Sequence, residues 1–334
     1  MEHPLTLRQL CAVCLLAVTA PSLTVCAAMP WPWVLAISAA ITVLLAVMIF
    51  LWRKAGADSL ALLTVRAWGR PLGTAVLAGQ TVFALLLLWR FSAGTDTAFP
   101  DVPTRPFVPL ILLAVTAWAV WQGRRAAVRG ICVLFFFGAV LVTALFGFVL
   151  PDAKVTGLLR LPQNVSLQPS AVLLLPVYGL YLAEPHPQRS IAHWLPAFLL
   201  LPPAAAAVCA AVPGSRGSFY TMAKSVEVLS VARRIEPLVS ASLTAGWFTA
   251  MVLVSLSVGE MVGAMGGRIR KAAVAACILA LPSAWLKLPV SDGLLLWGAV
   301  LFCAVLPLLT LLVVAGKKPA KIVKKGVDKG GLGW

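Results

Sequence analysis

The sequence predicts an all-α polytopic membrane protein, with ten transmembrane helices in a 5+5 inverted repeat whose first and sixth helices are interrupted. Its 334 residues are 61% hydrophobic and only 11% charged, with a mean hydropathy of +0.96, whereas a soluble domain has roughly a quarter of its residues charged. Ten apolar runs are long enough to cross a bilayer. Prolines lie inside the first and the sixth run, and interruptions at corresponding positions of two halves are typical of inverted-repeat transporters.

The ten apolar runs define the expected spans in chain order. They cover residues 8–28, 32–52, 71–90, 107–121, 130–150, 170–183, 194–213, 237–258, 272–288 and 294–315. The fourth and sixth runs are short, but a half-helix is enough where a span is interrupted. Tryptophans such as Trp31, Trp52 and Trp121 lie at run ends, the position of the aromatic belt at a membrane surface. We therefore expect one permease-like transmembrane domain, residues 1–316, followed by a disordered basic cytoplasmic tail, residues 317–334.

The net charge of +16 indicates membrane topology and not nucleic-acid binding. The basic residues lie between apolar runs, and the sequence contains no nucleic-acid-binding module. An even number of spans puts both termini on one side of the membrane. If that side is the cytoplasm, about two-thirds of the 27 Lys and Arg residues lie on it, in agreement with the positive-inside rule. We expect cytoplasmic termini and attraction of these residues to anionic lipids of the bilayer.

The two interruptions predict a ligand site. Pro21 lies inside the first run, and Pro176 with Gly179 inside the sixth. A proline removes a backbone donor and kinks or breaks a helix, and lipid offers no partner for the carbonyls that are freed. Free N–H groups at a half-helix start, with neutral polar side chains, are suited to a zwitterion. The alternatives are a simple kink at each proline and helix–helix hydrogen bonds for lone hydroxyls. The candidate ligand-binding residues are Pro21, Ser22, Thr24, Gln80, Pro176, Tyr178, Gly179, Tyr181 and Ser240.

The sequence lacks the residue patterns needed for proton-driven transport, enzymatic catalysis and metal binding. The central part of each span contains no Asp, Glu, Lys, Arg or His, which argues against proton-driven transport and leaves sodium binding open. No nucleophile–base pair, phosphate-binding loop or paired carboxylates are present, so we expect no enzymatic activity. The seven cysteines lie in apolar runs and the three histidines have no ligands at metal-binding spacing, so we expect neither a metal site nor a cofactor.

One outer loop, residues 218–236, predicts an amphipathic helix lying in the outer membrane interface. Phe219, Met222, Val226 and Leu229 recur in it at helical spacing. Two interpretations remain open for this segment. It is either an ordinary surface helix with charge pairs, or a lid or docking element at the outer mouth.

Short motifs occur along nearly the whole chain. The most extended lies in residues 219–247, where an aromatic, a basic residue with a Ser–Val–Glu run and an Arg-x-Glu pair precede a span containing Gly–Trp. Others are Arg8-Gln9-Leu10 before the first span and the loop 152–162. Their structural positions include Phe99, Pro100, Gly123, Arg129, Glu227, Arg234 and Glu236. Together these motifs resemble the spore germination permease family, the B subunits of nutrient germinant receptors, in the amino acid–polyamine–organocation superfamily.

The resemblance implies a ten-helix fold with broken helices, residence in the spore inner membrane, and assembly with A- and C-type receptor subunits. It implies a non-enzymatic receptor subunit that binds a small nutrient, in the first place an amino acid, between helices 1 and 6 and signals germination. One alternative is a permease for amino acids or polyamines. Another is a degenerate scaffold subunit without ligand binding, because Arg125 and Leu180 stand where the family usually has acidic residues.

Overall fold

The computed structural model describes residues 7–24, 26, 29–56, 58–100, 106–158, 168–182, 195–212, 219–225, 236–286 and 291–316. Within these ranges all regular secondary structure is helical. The tail 317–334, for which disorder was expected, lies outside them.

The helices overlap the apolar runs, and the third of them, Leu60–Gly94, is two helices that meet at a kink at Gly69, where φ is 75°. They are α1 Leu7–Thr24, α2 Trp31–Lys54, α3 Leu60–Gly94, α4 Phe107–Trp121, α5 Arg124–Val149, α6 Val155–Leu158, α7 Gly179–Leu182, α8 Leu195–Ala211, α9 Phe219–Ser225, α10 Glu236–Ala264, α11 Ile269–Ala280, α12 Asp292–Ala299 and α13 Leu306–Gly316. A 3-10 helix, Gln168–Tyr178, leads into α7, and a π-helical turn, Val300–Val305, joins α12 to α13. Each of the ten predicted stretches therefore contains helix.

Five helical segments of the described chain are long and apolar enough to cross a membrane. They are Trp31–Lys54, Leu60–Ala98, Arg124–Val149, Glu236–Ala264 and Asp292–Gly316. Large apolar side chains cover the outer faces of the bundle, and on α4 they form one stripe of Phe107, Ile111, Val115 and Trp118, with exposures of 42–67%. Soluble monomers rarely expose apolar surface on this scale, whereas a lipid-facing surface requires it. The chain is a helical protein embedded in the membrane.

Contacts between helix ends show that α10 runs antiparallel to α3 and to α5. At one end of the bundle, Arg124 at the start of α5 pairs with Glu260 near the end of α10, at 3.1 Å between Nη1 and Oε1. At the other end, Ser240 near the start of α10 donates to the carbonyl of Ala98 at 2.6 Å. We call the first the basic end, because it carries most of the described cations: Arg8, Arg53, Lys54, Arg66, Arg70, Arg124, Arg125, Arg129, Arg268, Arg270 and Lys271. In the described chain the opposite half carries Arg90, Lys154 and Lys224.

Helices α1 and α10 form the centre of the bundle. Helix α10 packs against α1, α3, α4, α5 and α11. Its closest approach to α1 is at Gly246, where a Cβ atom would lie 2.7 Å from the backbone nitrogen and from the Cβ of Ala20. Small residues at helix contacts allow the backbones in membrane bundles to approach closely, and dispersion contacts then hold the helices together.

The predicted interruption of the first helix at Pro21 does not occur, since α1 continues through Pro21 to Thr24. Pro21 lies in the last turn of the helix, and the loss of its backbone donor does not end α1 there. The neighbouring hydroxyls bond within the helix. Ser22 donates to the carbonyl of Val18 and Thr24 to that of Ala20, both at 2.7 Å.

The sixth stretch is interrupted as predicted. In the described part of this stretch, Gln168–Tyr178 form the 3-10 helix that contains Pro176, and Gly179–Leu182 are α-helical. A 3-10 helix longer than three or four residues is uncommon, because its hydrogen-bond geometry is poorer than that of an α-helix. We call residues 168–182 the interrupted segment.

The amphipathic helix predicted for residues 218–236 is described only in its first part, as α9. There, Phe219 and Met222 are completely buried, and the Phe219 ring packs edge-on against Phe146 with 5.6 Å between centroids. This part of the stripe therefore packs into the bundle and does not lie on the lipid interface. Val226 and Leu229 lie outside the described residues.

We expect Gly246→Leu to destabilise the protein by about 1–3 kcal/mol, the usual cost of overpacking a tight contact. The new side chain would force α10 away from Ala20 of α1. Thermal unfolding in detergent, followed by tryptophan fluorescence, measures the effect. Gly147→Leu on α5 is the matched control, because a Cβ atom there would have no neighbour within 4 Å. Equal melting temperatures for the two variants would contradict the central α1–α10 contact.

Candidate functional site

Side chains from three other elements hold the carbonyl groups of the interrupted segment. Ser257 of α10 donates to the carbonyl of Tyr178 at 3.0 Å. Ser59, which precedes α3, donates to the carbonyl of Tyr181 at 2.9 Å, and the thiol of Cys14 on α1 lies 3.9 Å from the carbonyl of Pro176. Non-helical backbone at membrane depth is tolerated where the protein offers it hydrogen-bond partners, and these three side chains are such partners.

The interrupted segment also packs directly on α1. A Cβ atom on Gly179 would lie 2.7 Å from the Cys14 sulfur, so only glycine fits at this contact. A cavity lined by Val18, Ser38 and Pro176 has a volume of about 10 Å³. That volume is about what a single water needs. In this conformation, therefore, that cavity cannot hold an amino acid.

Polar groups gather beside the π-helical turn in the interior of the bundle. Gln80 of α3 donates its Nε2 hydrogen to the carbonyl of Phe302, at 3.4 Å. Tyr178 shares a hydrogen bond with the thiol of Cys303, and the rings of Tyr178 and Tyr181 lie 6.0 Å apart. A π-turn departs from the α-helical hydrogen-bond pattern, and such turns occur frequently at functional sites. We call Gln80, Tyr178, Tyr181 and Cys303 the interior polar cluster.

Two atoms of this cluster have no hydrogen-bond partner among the described residues: the Oε1 atom of Gln80 and the hydroxyl oxygen of Tyr181. Both residues are only 2% exposed. Leaving a buried polar group unpaired costs about 1–3 kcal/mol. Native structures contain few such groups, and each requires an explanation.

The predicted ligand-binding residues fall into three places. Gln80, Pro176, Tyr178, Gly179 and Tyr181 belong to the interrupted segment or the cluster beside it. Pro21, Ser22 and Thr24 lie in the last turns of α1, and both hydroxyls are used within that helix. Ser240 lies 17 residues before Ser257 on α10, about 25 Å away along a helix axis, so it does not reach the cluster.

The predicted motif residues are spread over the loops and helix ends. Gly123 precedes α5 with a φ of 99°, and a Cβ atom there would lie 3.2 Å from the Arg270 guanidinium. Arg129 is exposed on α5, and Glu236 is the first residue of α10. Glu227 and Arg234 lie outside the described residues.

Sequence reasoning did not single out Ser59, Ser257 or Cys303. Ser257 lies in a helix buried nearly all round, where each polar side chain needs a partner inside the protein, but this burial is seen only in the structure.

A much larger space lies between α4, α5 and α10, and Tyr220 of α9 lines it at the end opposite to the basic end. This lateral groove has a volume of about 1330 Å³. Its polar lining residues are Gln122, Tyr220, Glu236, Ser240 and Thr244, and the rest of its lining is apolar. The groove shares Ser240 and Glu236 with the predicted residues and contains no member of the interior polar cluster.

We expect Ser257→Ala to lower the free energy of unfolding by about 0.5–1.5 kcal/mol, because it removes a buried hydrogen bond to the carbonyl of Tyr178. Ser242→Ala is the matched control, since Ser242 is equally buried on α10 and donates only within its own helix, to Leu238. Thermal unfolding of both variants checks this. A loss no greater than that of the control would mean that Ser257 does not hold the interrupted segment.

Comparison with known proteins gives no match to a protein-family model and none to a curated protein.

Proposed function

We propose that the chain is an integral membrane subunit of a spore germinant receptor that binds a small nutrient at the interior polar cluster. The nutrient is an amino acid in the first instance. Binding moves the interrupted segment and signals to A- and C-type partner subunits in the spore inner membrane. The observation that carries this proposal is the pair of buried, unpartnered polar atoms on Gln80 and Tyr181 beside that segment.

The chemistry of this pair matches a zwitterion. The Tyr181 hydroxyl can donate to a carboxylate, and the Oε1 atom of Gln80 can accept from an ammonium group. Hydrogen bonds to charged partners are about twice as strong as neutral ones. The described part of the cluster contains no ionised side chain, so an amino acid with a neutral side chain fits it best.

The arrangement of helices supports ten transmembrane spans in a 5+5 inverted repeat, with both termini in the cytoplasm. Each of the ten predicted stretches contains helix, and α10 runs antiparallel to α3 and to α5. The basic end then faces the cytoplasm, in agreement with the positive-inside rule. The first helix differs from the family pattern, since it is unbroken at Pro21.

Ligand entry requires a conformational change, because α1 and the interrupted segment are in contact at Cys14 and Gly179. A ligand shifts such an equilibrium only if it binds the open state more tightly than the closed one. The interrupted segment is the element suited to move, since it is held by individual side-chain bonds and not by a continuous α-helical ladder.

The same contact favours a second candidate function. If the closed packing at Gly179 is permanent, the chain is a scaffold subunit that positions its partners and binds no nutrient. Ligand-induced stabilisation separates the two functions, because only a binding subunit responds to a nutrient.

We expect a panel of amino acids to include at least one that raises the melting temperature of the purified protein. A ligand present at 100 times its Kd stabilises a protein by about 2.7 kcal/mol. Tyr181→Phe should keep or raise the stability of the free protein, because it removes an unpaired hydroxyl, but should abolish the ligand response.

Thr116→Val is the matched control for this experiment. It removes another buried hydroxyl, on α4, which bonds within its own helix to the carbonyl of Leu112. The control should keep the full ligand response. A wild-type protein that no amino acid stabilises, or a Tyr181→Phe variant that still responds, would refute binding at the cluster.

A further inference from the structure

The lateral groove is shaped for a lipid and not for a small polar ligand. Its volume of about 1330 Å³ exceeds the roughly 300–1,000 Å³ of typical small-molecule pockets. The hydroxyls of Ser240 and Thr244 in its wall already donate to the carbonyls of Ala98 and Ser240. The middle of the groove therefore offers apolar surface and no free hydroxyl donor to a ligand.

The groove opens towards the hydrocarbon of the bilayer. Val115 and Trp118 line it and also belong to the exposed apolar stripe of α4. The part of its wall supplied by α4, from Leu112 to Gln122, rises about 15 Å at 1.5 Å per residue. This is half of the roughly 30 Å hydrocarbon core, which is the depth that the acyl chains of one leaflet occupy.

Charge distinguishes the two ends of the groove. At the basic end, beside Gln122, the guanidinium of Arg270 approaches Gly123, and both Arg270 and Arg129 are exposed. In the described chain the acidic side chain near this end, Glu260, is already paired with Arg124. At the other end the groove is lined by Glu236. An anionic headgroup therefore matches the basic end and is repelled at the opposite one.

We propose that the lateral groove binds an anionic membrane phospholipid of the leaflet at the basic end. Its acyl chains lie between α4, α5 and α10, and its phosphate lies over Gln122 beside Arg129 and Arg270. The bound lipid fills the gap between α4–α5 and the central helix α10, so the lipid composition of the membrane affects the stability of the bundle.

Glycines on α5 provide a direct test. Gly130 lines the groove and has open space around its Cβ position, so Gly130→Phe fills the groove without a backbone clash. Gly147→Phe is the matched control, because Gly147 lies on the same helix with equally open space and does not line the groove. Ala126→Phe, which also narrows the groove, is a second blocking variant in case the first does not fold.

The measurement is native mass spectrometry of the full chain, titrated with phosphatidylglycerol or phosphatidylcholine, with a thermal melt to verify folding. We expect wild type and Gly147→Phe to retain phosphatidylglycerol, and Gly130→Phe to lose it. The double variant Arg129→Gln/Arg270→Gln should bind phosphatidylglycerol more weakly by a factor on the order of ten and should bind phosphatidylcholine as before.

Three results would overturn the proposal. One is equal lipid retention by the Gly130→Phe and Gly147→Phe variants. Another is the absence of any preference for phosphatidylglycerol over phosphatidylcholine in the wild-type chain. The third is a dimer that Gly130→Phe dissociates, since the occupant of the groove would then be a second copy of the chain.

Discussion

Backbone hydrogen bonding inside an apolar bundle is the constraint on which this arrangement depends. A carbonyl group left unpaired in hydrocarbon costs several kcal/mol. The interrupted segment departs from the α-helix in the interior of the bundle, and its carbonyls at Pro176, Tyr178 and Tyr181 are met by side chains of Cys14, Ser257 and Ser59. These donors belong to α1, α10 and the start of α3. Moving any of the three elements away from the segment would break one of these buried contacts.

The same constraint accounts for the central position of α10. This helix must reach the interrupted segment through Ser257 while it packs against α1 at Gly246, and its ends are tied by Ser240 to Ala98 and by Glu260 to Arg124. A helix that is held at both ends and at its centre is a fixed support. The interrupted segment is bonded to such supports through individual side chains. Moving the segment therefore breaks fewer hydrogen bonds and helix contacts than moving α10 would.

The positions of the helices could be predicted because hydropathy alone sets them, and α4 has the bounds 107–121 in both sequence and structure. The interruption at Pro176 could be predicted because Gly179 follows it in mid-span. The continuity at Pro21 could not, since it depends on α1 ending at Thr24, and tertiary contacts decide where a helix ends. Nor could the role of Ser257 be separated from that of Ser240. Both are lone hydroxyls in one span, and the neighbour that each meets depends on how the helices are rotated and packed.

The interior polar cluster is difficult to explain as packing alone. A subunit that only filled space would gain stability from Phe in place of Tyr181 and from Leu in place of Gln80, because each buried unpaired atom costs about 1–3 kcal/mol. A local cost of this kind is typical of functional sites, where the unpaired groups find their partners in another state. Cys14 of α1 and Gly179 are in contact, so α1 and the interrupted segment have no gap between them at that point. The unpaired donor and acceptor together with this tight contact therefore favour a second, open state in which a small zwitterion pairs with both.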